Sequence, residues 1–307
     1  MELLKELTKV HAPSGSEYNM TKFLIDYIEK NKNKFLVQPQ LIYGEDFQDN
    51  LILVFGKPST AIFAHIDSIG FTVGYNNQLI KIGKPHVESG IEVVGEDAKG
   101  PIACKIKTEE DEYQYLKIFA AYDRNIERGT TLTFKPNWIE DEDFVQCCYM
   151  DNRLGVWNAL KVAETLENGI ICFSCWEEHG GGSAEFLARY IYEKFKIKQA
   201  LISDITWVTD GVKAGSGVAI SMRDSGIPRR KYLNKIIDLA KQTKIPFQLE
   251  VESAGGSDGN AIQRTPYPID WCFIGAAEQN VHSPTEKVHK KDIQSMVEMY
   301  KYLMKHL

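Results

Sequence analysis

The chain reads as an α/β protein, a doubly wound, mostly parallel sheet with helices on both faces, carrying a small inserted all-β domain. Three observations carry this reading. Apolar strand-like runs alternate with helical patterns from Asn152 onward, a block of short segments without helical period interrupts the same alternation, and several strand-like runs finish in a carboxylate or an imidazole. With 307 residues, 43% hydrophobic and 25% charged, the chain can bury one large core and a second small module.

The opening Glu2 to Val10 has an amphipathic helical pattern, and Pro13-Ser14-Gly15 breaks it. A capped helix follows from Ser16 to about Lys30, with Met20, Phe23, Leu24 and Tyr27 at helical spacing. Strands are expected over Phe35 to Tyr43, Asn50 to Phe55 and Ala61 to His65. The alternating segments Phe71 to Gly74, Leu79 to Ile82, Ile91 to Gly95, Ile102 to Ile106, Tyr115 to Phe119 and Thr131 to Phe134 form the β module, with the acidic run Glu140 to Asp143 as a solvated turn closing it.

After the module come a helix to Leu166, strand Ile170 to Cys175, helix Ala184 to Phe195, and strands Ala200 to Asp204 and Val218 to Met222. Helix Arg230 to Gln242, strand Phe247 to Glu252, a helix from Asp258, strand Ile269 to Phe273 and a last helix from about Lys290 complete the chain. In such sheets ligands gather at the carboxyl ends of the strands.

A net charge of -6 and a pI near 5.7 argue against a nucleic-acid footprint, which needs clustered Lys and Arg in excess. The first ten residues lack the apolar core of a signal peptide, and no run of about 18 apolar residues offers a membrane span, so a cytoplasmic protein is expected. Cys104, Cys147, Cys148, Cys172, Cys175 and Cys272 lie in or beside apolar runs and read as small buried hydrophobes.

Six residues draw attention as holders of two divalent ions and a general base: His65, Asp151, Glu177, Glu178, Asp204 and His282. In Ala64-His65-Ile66-Asp67, strand alternation lets Asp67 accept the second ring N–H of His65 and fix its tautomer. Asp151 opens a helix and fits an N-cap equally well, but a carboxylate between two cations can bridge them. The adjacent Glu177 and Glu178 end an apolar run, where their mutual repulsion calls for a cation; diverging along a strand, one can ligate while the other acts as base. Asp204 ends another apolar run, and His282 sits in a loop held by Pro284. Mixed imidazole and carboxylate donors suit zinc or cobalt better than magnesium or calcium.

In their order His-x-Asp, Asp, Glu-Glu, Asp, His, these residues resemble the co-catalytic zinc peptidases. Further segments, Ala64 to Phe71, Gly129 to Pro136, Lys213 to Gly217, Gly255 to Asp258 and His282 to Glu286, are similar to metallopeptidase family forty-two, the glutamyl and deblocking aminopeptidases that form tetrahedral shells. The long separation of His65 from Asp151 leaves room for that family's β insertion.

The resemblance implies that Asp151 bridges both ions, that Glu178 and His282 complete one site, and that His65 and Asp204 complete the other. It also implies Glu177 as proton shuttle, Asp67 as the orienting partner of His65, and a cis peptide at Asp151-Asn152. The domains expected are 1–68 and 149–307 as two parts of a catalytic domain and 69–148 as an inserted β domain for oligomerisation or substrate access. The activity expected is removal of amino-terminal residues from peptides by a metal-bridging hydroxide, with Glu177 as general base. A homo-oligomer, from a dimer up to a tetrahedral dodecamer, is expected, with no nucleic-acid or membrane partner.

Arg223, with Arg229 and Arg230, and Gly256 are candidate substrate contacts. His179-Gly180-Gly181-Gly182 replaces the family's usual Val-Gly and longer turn, and Ser68 stands where Glu is common, which bears on substrate preference. The rival activities are a metal-dependent deacylase or dipeptidase on the same centre, and a non-catalytic homologue of the fold.

Overall fold

The computed structural model describes residues 1–110 and 112–307. Two short helices, α1 (Glu2–Leu7) and α2 (Tyr18–Lys30), precede strands β1 (Gln40–Gly44), β2 (Gln48–Phe55) and β3 (Ala61–His65). Six strands then form a separate antiparallel sheet: β4 (Gly70–Val73), β5 (Leu79–Ile82), β6 (Glu92–Asp97), β7 (Gly100–Glu110), β8 (Leu116–Ala121) and β9 (Thr131–Phe134). Their order is β5-β4-β9-β6-β7-β8, and a bridge from Gln78 to Phe119 curls the sheet back on itself.

The chain returns through β10 (Ile139–Glu140), β11 (Phe144–Gln146) and α3 (Met150–Ala163) to β12 (Gly169–Ser174), α4 (Ala184–Phe195) and β13 (Gln199–Trp207). There follow β14 (Val218–Arg223), α5 (Arg230–Lys241), β15 (Phe247–Val251), α6 (Asp258–Arg264), β16 (Asp270–Gln279), β17 (Lys287–His289) and α7 (Lys290–His306). No described helix is long and apolar enough to cross a membrane.

The large sheet has eleven strands, with β12, β3, β13 and β16 running parallel at its centre and antiparallel strands on its flanks. Period-two alternation buries both faces of the central strands. Ile62, Ala64, Ile171, Phe173 and Leu201 pack toward α1, α2, α3 and α7, whereas Ala61, Phe63, Ile170, Cys172, Ala200 and Ile202 pack toward α4 and α6. Each large side chain so buried contributes about 1.5–3 kcal/mol, enough to fix the register.

Several sequence expectations shift. The strand expected from Phe35 begins only at Gln40, because Lys32–Lys34 form a turn of 3₁₀ helix and Pro39 lies before the ladder. Helix α2 starts after Glu17, whose carboxylate turns inward to accept the Trp176 N–H at 3.1 Å, and Ser16 makes no cap. The turn Glu140 to Asp143 closes a β10-β11 hairpin on the edge of the large sheet, where β11 pairs with β17, so it does not belong to the six-stranded sheet. Five of the cysteines are buried, Cys104 is partly so, and all six are free thiols.

Candidate metal centre

The parallel order brings the carboxyl ends of β3 and β12 beside the middle of β13, with His65 paired to Ser174 in register. His65 is the last residue of β3 and is buried. Its Nε2 lies 3.2 Å from Asp151 Oδ1 and 3.5 Å from Asp204 Oδ2. On the other side of Asp151, His282 Nε2 lies 3.2 Å from Oδ2 and 3.2 Å from Glu178 Oε2. Asp151 thus presents one oxygen to each imidazole, and the five residues divide into two donor groups that share it.

Local chemistry explains each placement. Asp151 is not the cap of α3: the neighbouring Asn152 accepts the Gly155 N–H at 2.9 Å and donates to the Ser203 carbonyl at 2.9 Å, leaving the Asp151 carboxylate free to face the cleft. The Asp151-Asn152 peptide is cis. Gly155 is required here because a Cβ would stand 2.1 Å from the Ser203 carbonyl oxygen, where α3 crosses β13.

Asp204 does not end its strand. β13 continues through Ile205, Thr206 and Trp207, residues suited to a ladder, which pair with Ala276, Ala277 and Glu278 of β16. The Asp204 carboxylate is fixed by the Ile205 N–H at 2.7 Å and the Ser257 hydroxyl at 2.6 Å. Glu177 and Glu178, by contrast, lie beyond the end of β12, in a turn entered through Trp176 at φ 61°, and that turn rather than strand alternation aims them apart.

Asp67 does more than accompany His65. Its Oδ1 is 3.4 Å from His65 Nδ1, at ion-pair distance but without hydrogen-bond alignment, while its carboxylate accepts the backbone N–H groups of Glu177 at 3.1 Å and Glu178 at 3.0 Å and the Ser14 hydroxyl at 2.6 Å. It therefore ties the β3 end to the Glu177-Glu178 turn. Beneath it, the wholly buried Arg153 donates to the carbonyls of Ile66, Asp67 (3.3 Å) and Val10 (3.4 Å). Arg153→Met would leave these acceptors unsatisfied, and a loss of about 3 kcal/mol or more is expected in urea unfolding. A loss under about 1 kcal/mol would refute the role given to it.

The electrostatics follow from burial. Burial opposes the charged form of His65, yet Asp204, Asp151 and Asp67 hold its pKa well above the ordinary histidine range. His282 behaves alike: burial works against it, but Asp151 and Glu178 raise it to about 11. Burial, then the charge of Asp151, lifts Glu178 to about 7, and the same two causes raise Asp204. Burial pushes Glu177 well up, with Glu178, Asp204 and Asp258 adding to it and His65 opposing. Glu178 Oε1 has no hydrogen-bond partner. A carboxylate-rich, imidazole-containing pocket of this kind fits divalent cations, which would replace the protons the imidazoles otherwise carry. His65, Asp151 and Glu178 offer donor atoms that all lie within 4.8 Å of one another.

Residues 83 to 86 of the six-stranded sheet's side reach the centre. The His86 N–H donates to the His282 carbonyl at 2.8 Å, the Gly83 N–H to His179 Nδ1 at 3.1 Å, and Lys84 lines the cleft. The cleft holds about 430 Å³ and includes Asp151, Glu177, Glu178, Asp204, His282 and Gly256. Arg223 is not among its lining residues; its Nε donates to the Asp224 carbonyl, and Arg229 pairs with Asp270 at 2.8 Å.

Further acids, to which the sequence assigns no role, lie behind and beside the donor groups. Glu278 and Glu286 are fully buried behind Asp151, and Glu286 Oε2 accepts the Asp151 N–H at 3.3 Å while Glu286 Oε1 and both Glu278 oxygens lack partners. Glu278 follows the apolar run of β16 in phase with the buried Ala276, which is the signal that could have flagged it.

Comparison with known proteins points the same way. Residues 120–299 match the model of the M42 glutamyl aminopeptidase family. A protein of Acetivibrio thermocellus named "Putative aminopeptidase" is 28% identical, over 97% of this chain and 96% of its own. Among solved structures, an aminopeptidase from the archaeon Desulfurococcus kamchatkensis superposes with a TM-score of 0.86 at 22% identity, covering 100% of this chain and 94% of the other. The Pyrococcus horikoshii TET1 peptidase, described as assembling into a tetrahedron or a large octahedral shell, gives 0.80 at 22% identity over 99% and 98%. With Asp151, Glu177, Glu178, Asp204 and His282 all inside the matched span, the chain belongs to the M42 glutamyl aminopeptidase family and is a metallo-aminopeptidase, a hydrolase of peptide bonds.

Proposed function

We propose that the enzyme removes amino-terminal residues from peptides at a centre holding two divalent ions, zinc or cobalt. His65, Asp151 and Asp204 would hold one, and Asp151, Glu178 and His282 the other. The single observation carrying this is the split of Asp151, whose two oxygens face different imidazoles at 3.2 Å each. When bound, such a pair supplies Lewis-acid polarisation of the scissile carbonyl and lowers the pKa of a water to about 7.

The residues of the chain do the rest. Glu177 lines the cleft beside the donor groups, takes the proton of the attacking water and returns it to the leaving amine. Asp67 keeps Glu177 and Glu178 in place through their backbone N–H groups and holds His65 from its far side. The test is metal content together with hydrolysis of aminoacyl and N-acyl reporters. Two ions per chain and cleavage restricted to free amino termini support the reading, whereas N-acyl cleavage alone would make the enzyme a deacylase.

Residues 69–148 act, in this proposal, as an inserted module governing access and self-association, supported by the contacts of Gly83 and His86 with the centre's loops. A homo-oligomer is proposed by likeness to the shell-forming TET1 peptidase. Light scattering is expected to give a mass several times the 34.9 kDa of one chain, and a monomer at micromolar concentration would contradict it. Six free thiols accord with a reducing compartment, and the cytoplasm is the location proposed.

A further inference from the structure

The cleft has a second acidic end. Asp224 and Glu250 line it and are only 7% and 3% exposed, and Glu252 lies beside them. They arrive together because β14 and β15 pair in parallel, with Ser221 opposite Glu250, and because the Glu252 N–H bonds the Arg223 carbonyl at 3.0 Å. Asp224 spends one oxygen on the Gly226 N–H at 2.6 Å, and Glu250 spends one on the Thr206 hydroxyl. No ion pair reaches any of the three among the described residues. Lys84, the one lysine or arginine among the cleft's lining residues, is exposed.

We infer that this end of the cleft receives a basic side chain, so that the enzyme prefers lysine or arginine at the amino terminus of its peptides. The inference rests on the aminopeptidase reading above. Its geometry follows from β13. Asp204 and Thr206 project from the same face of that strand, about 7 Å apart, so the Glu250 carboxylate held by Thr206 is one side-chain length from the donor groups. Ile205, Trp207 and Phe273 line the same cleft. An apolar stem with a cationic head is what such walls and such an end accommodate, as lysine and arginine do with their long methylene stems.

Electrostatic need supports it. At the other end of the cleft the acids have imidazoles and a place for metal ions, but neither Asp224 nor Glu250 has an ion pair among the described residues, and the adjacent Arg223 eases the charge of Asp224 only in part. A buried carboxylate without an ion-pairing cation is costly, and burial accordingly raises Glu250 and lifts Asp224 to about 6. A cationic head entering there would remove that cost, while a glutamyl side chain would add to it.

The test measures kcat/KM of the zinc- or cobalt-loaded full chain on a panel of lysyl, arginyl, leucyl and glutamyl fluorogenic reporters. The wild type is expected to favour lysyl over glutamyl by about 100-fold or more and over leucyl by about 10-fold. In the double variant Asp224→Asn, Glu250→Gln the lysyl-to-leucyl ratio should fall about 10-fold, mainly through KM of the lysyl reporter. Because that pair is buried and the variant could misfold, Glu252→Lys, a change at a half-buried position, provides a second arm in which the lysyl-to-glutamyl ratio should drop in the same sense. Cleavage of leucyl or glutamyl reporters as fast as lysyl by the wild type overturns the inference alone. An unchanged ratio in the folded variants does the same and would assign these acids to the substrate's backbone amine. If no aminoacyl reporter is cleaved by the metal-loaded enzyme, the aminopeptidase reading itself falls.

Discussion

Glu177→Gln is expected to lower kcat about 10³-fold while both ions stay bound, as general acid-base groups contribute about 10²–10⁴-fold. The substitution keeps the side chain's size and leaves untouched the backbone N–H that bonds Asp67 at 3.1 Å, so the turn carrying Glu178 should hold its place. It removes only the capacity to take a proton. Burial drives Glu177 toward its neutral form, with the charges of Glu178, Asp204 and Asp258 adding to it against the opposing charge of His65. Bound cations would supply the missing counter-charge, so that the carboxylate is ionised when the centre is loaded and able to serve as a base. Elemental analysis beside steady-state kinetics decides the matter. A Gln variant within about threefold of the parent rate would remove Glu177 from proton transfer.

How much of this was legible in the sequence depends on the range of the interaction. Strand ends marked by His65 and by the Glu177-Glu178 pair stood out because a charged or imidazole group after an apolar run is a local signal. The helical pattern of α4, α5 and α7 was likewise local. What sequence could not show was the partner at a distance. Asp67 looked like an orienting neighbour of His65, whereas its stronger bonds go to backbone groups more than a hundred residues later. Arg153 passed as part of a helix, although it is buried whole under three carbonyls. The charge of Arg223 suggests a substrate contact, while the cleft is lined instead by Asp224, Glu250 and Glu252, whose meeting depends on β14 and β15 lying side by side. The extension of β13 past Asp204 is hidden for a different reason: a carboxylate suggests an end, and the Ala276 to Glu278 segment of β16 supplies the ladder that carries the strand on.

Asp151→Ala should cost the protein at least one of the two ions proposed for it and all measurable turnover. The reason is geometric. Among the described residues Asp151 is the one side chain within 3.2 Å of both imidazoles, and without it His65 keeps only Asp204 on its Nε2 side and His282 only Glu178. Two protein donors per cation make a poor site where three or four are usual, and a second anionic bridge between closely spaced cations is no longer available to offset their repulsion. Folding should survive, since the Asp151 N–H to Glu286 and the Asn152 bonds to Gly155 and Ser203 are independent of the lost carboxylate. His282→Ala provides the contrast: it strips one donor group while sparing His65, Asp151 and Asp204, so one ion should persist. Elemental analysis of the two dialysed variants checks both expectations, with one ion or fewer for Asp151→Ala and about one for His282→Ala, where two ions are expected in the parent. Two ions retained in Asp151→Ala would mean that the carboxylate is not shared, and the two-cation arrangement would have to be rebuilt around the remaining acids.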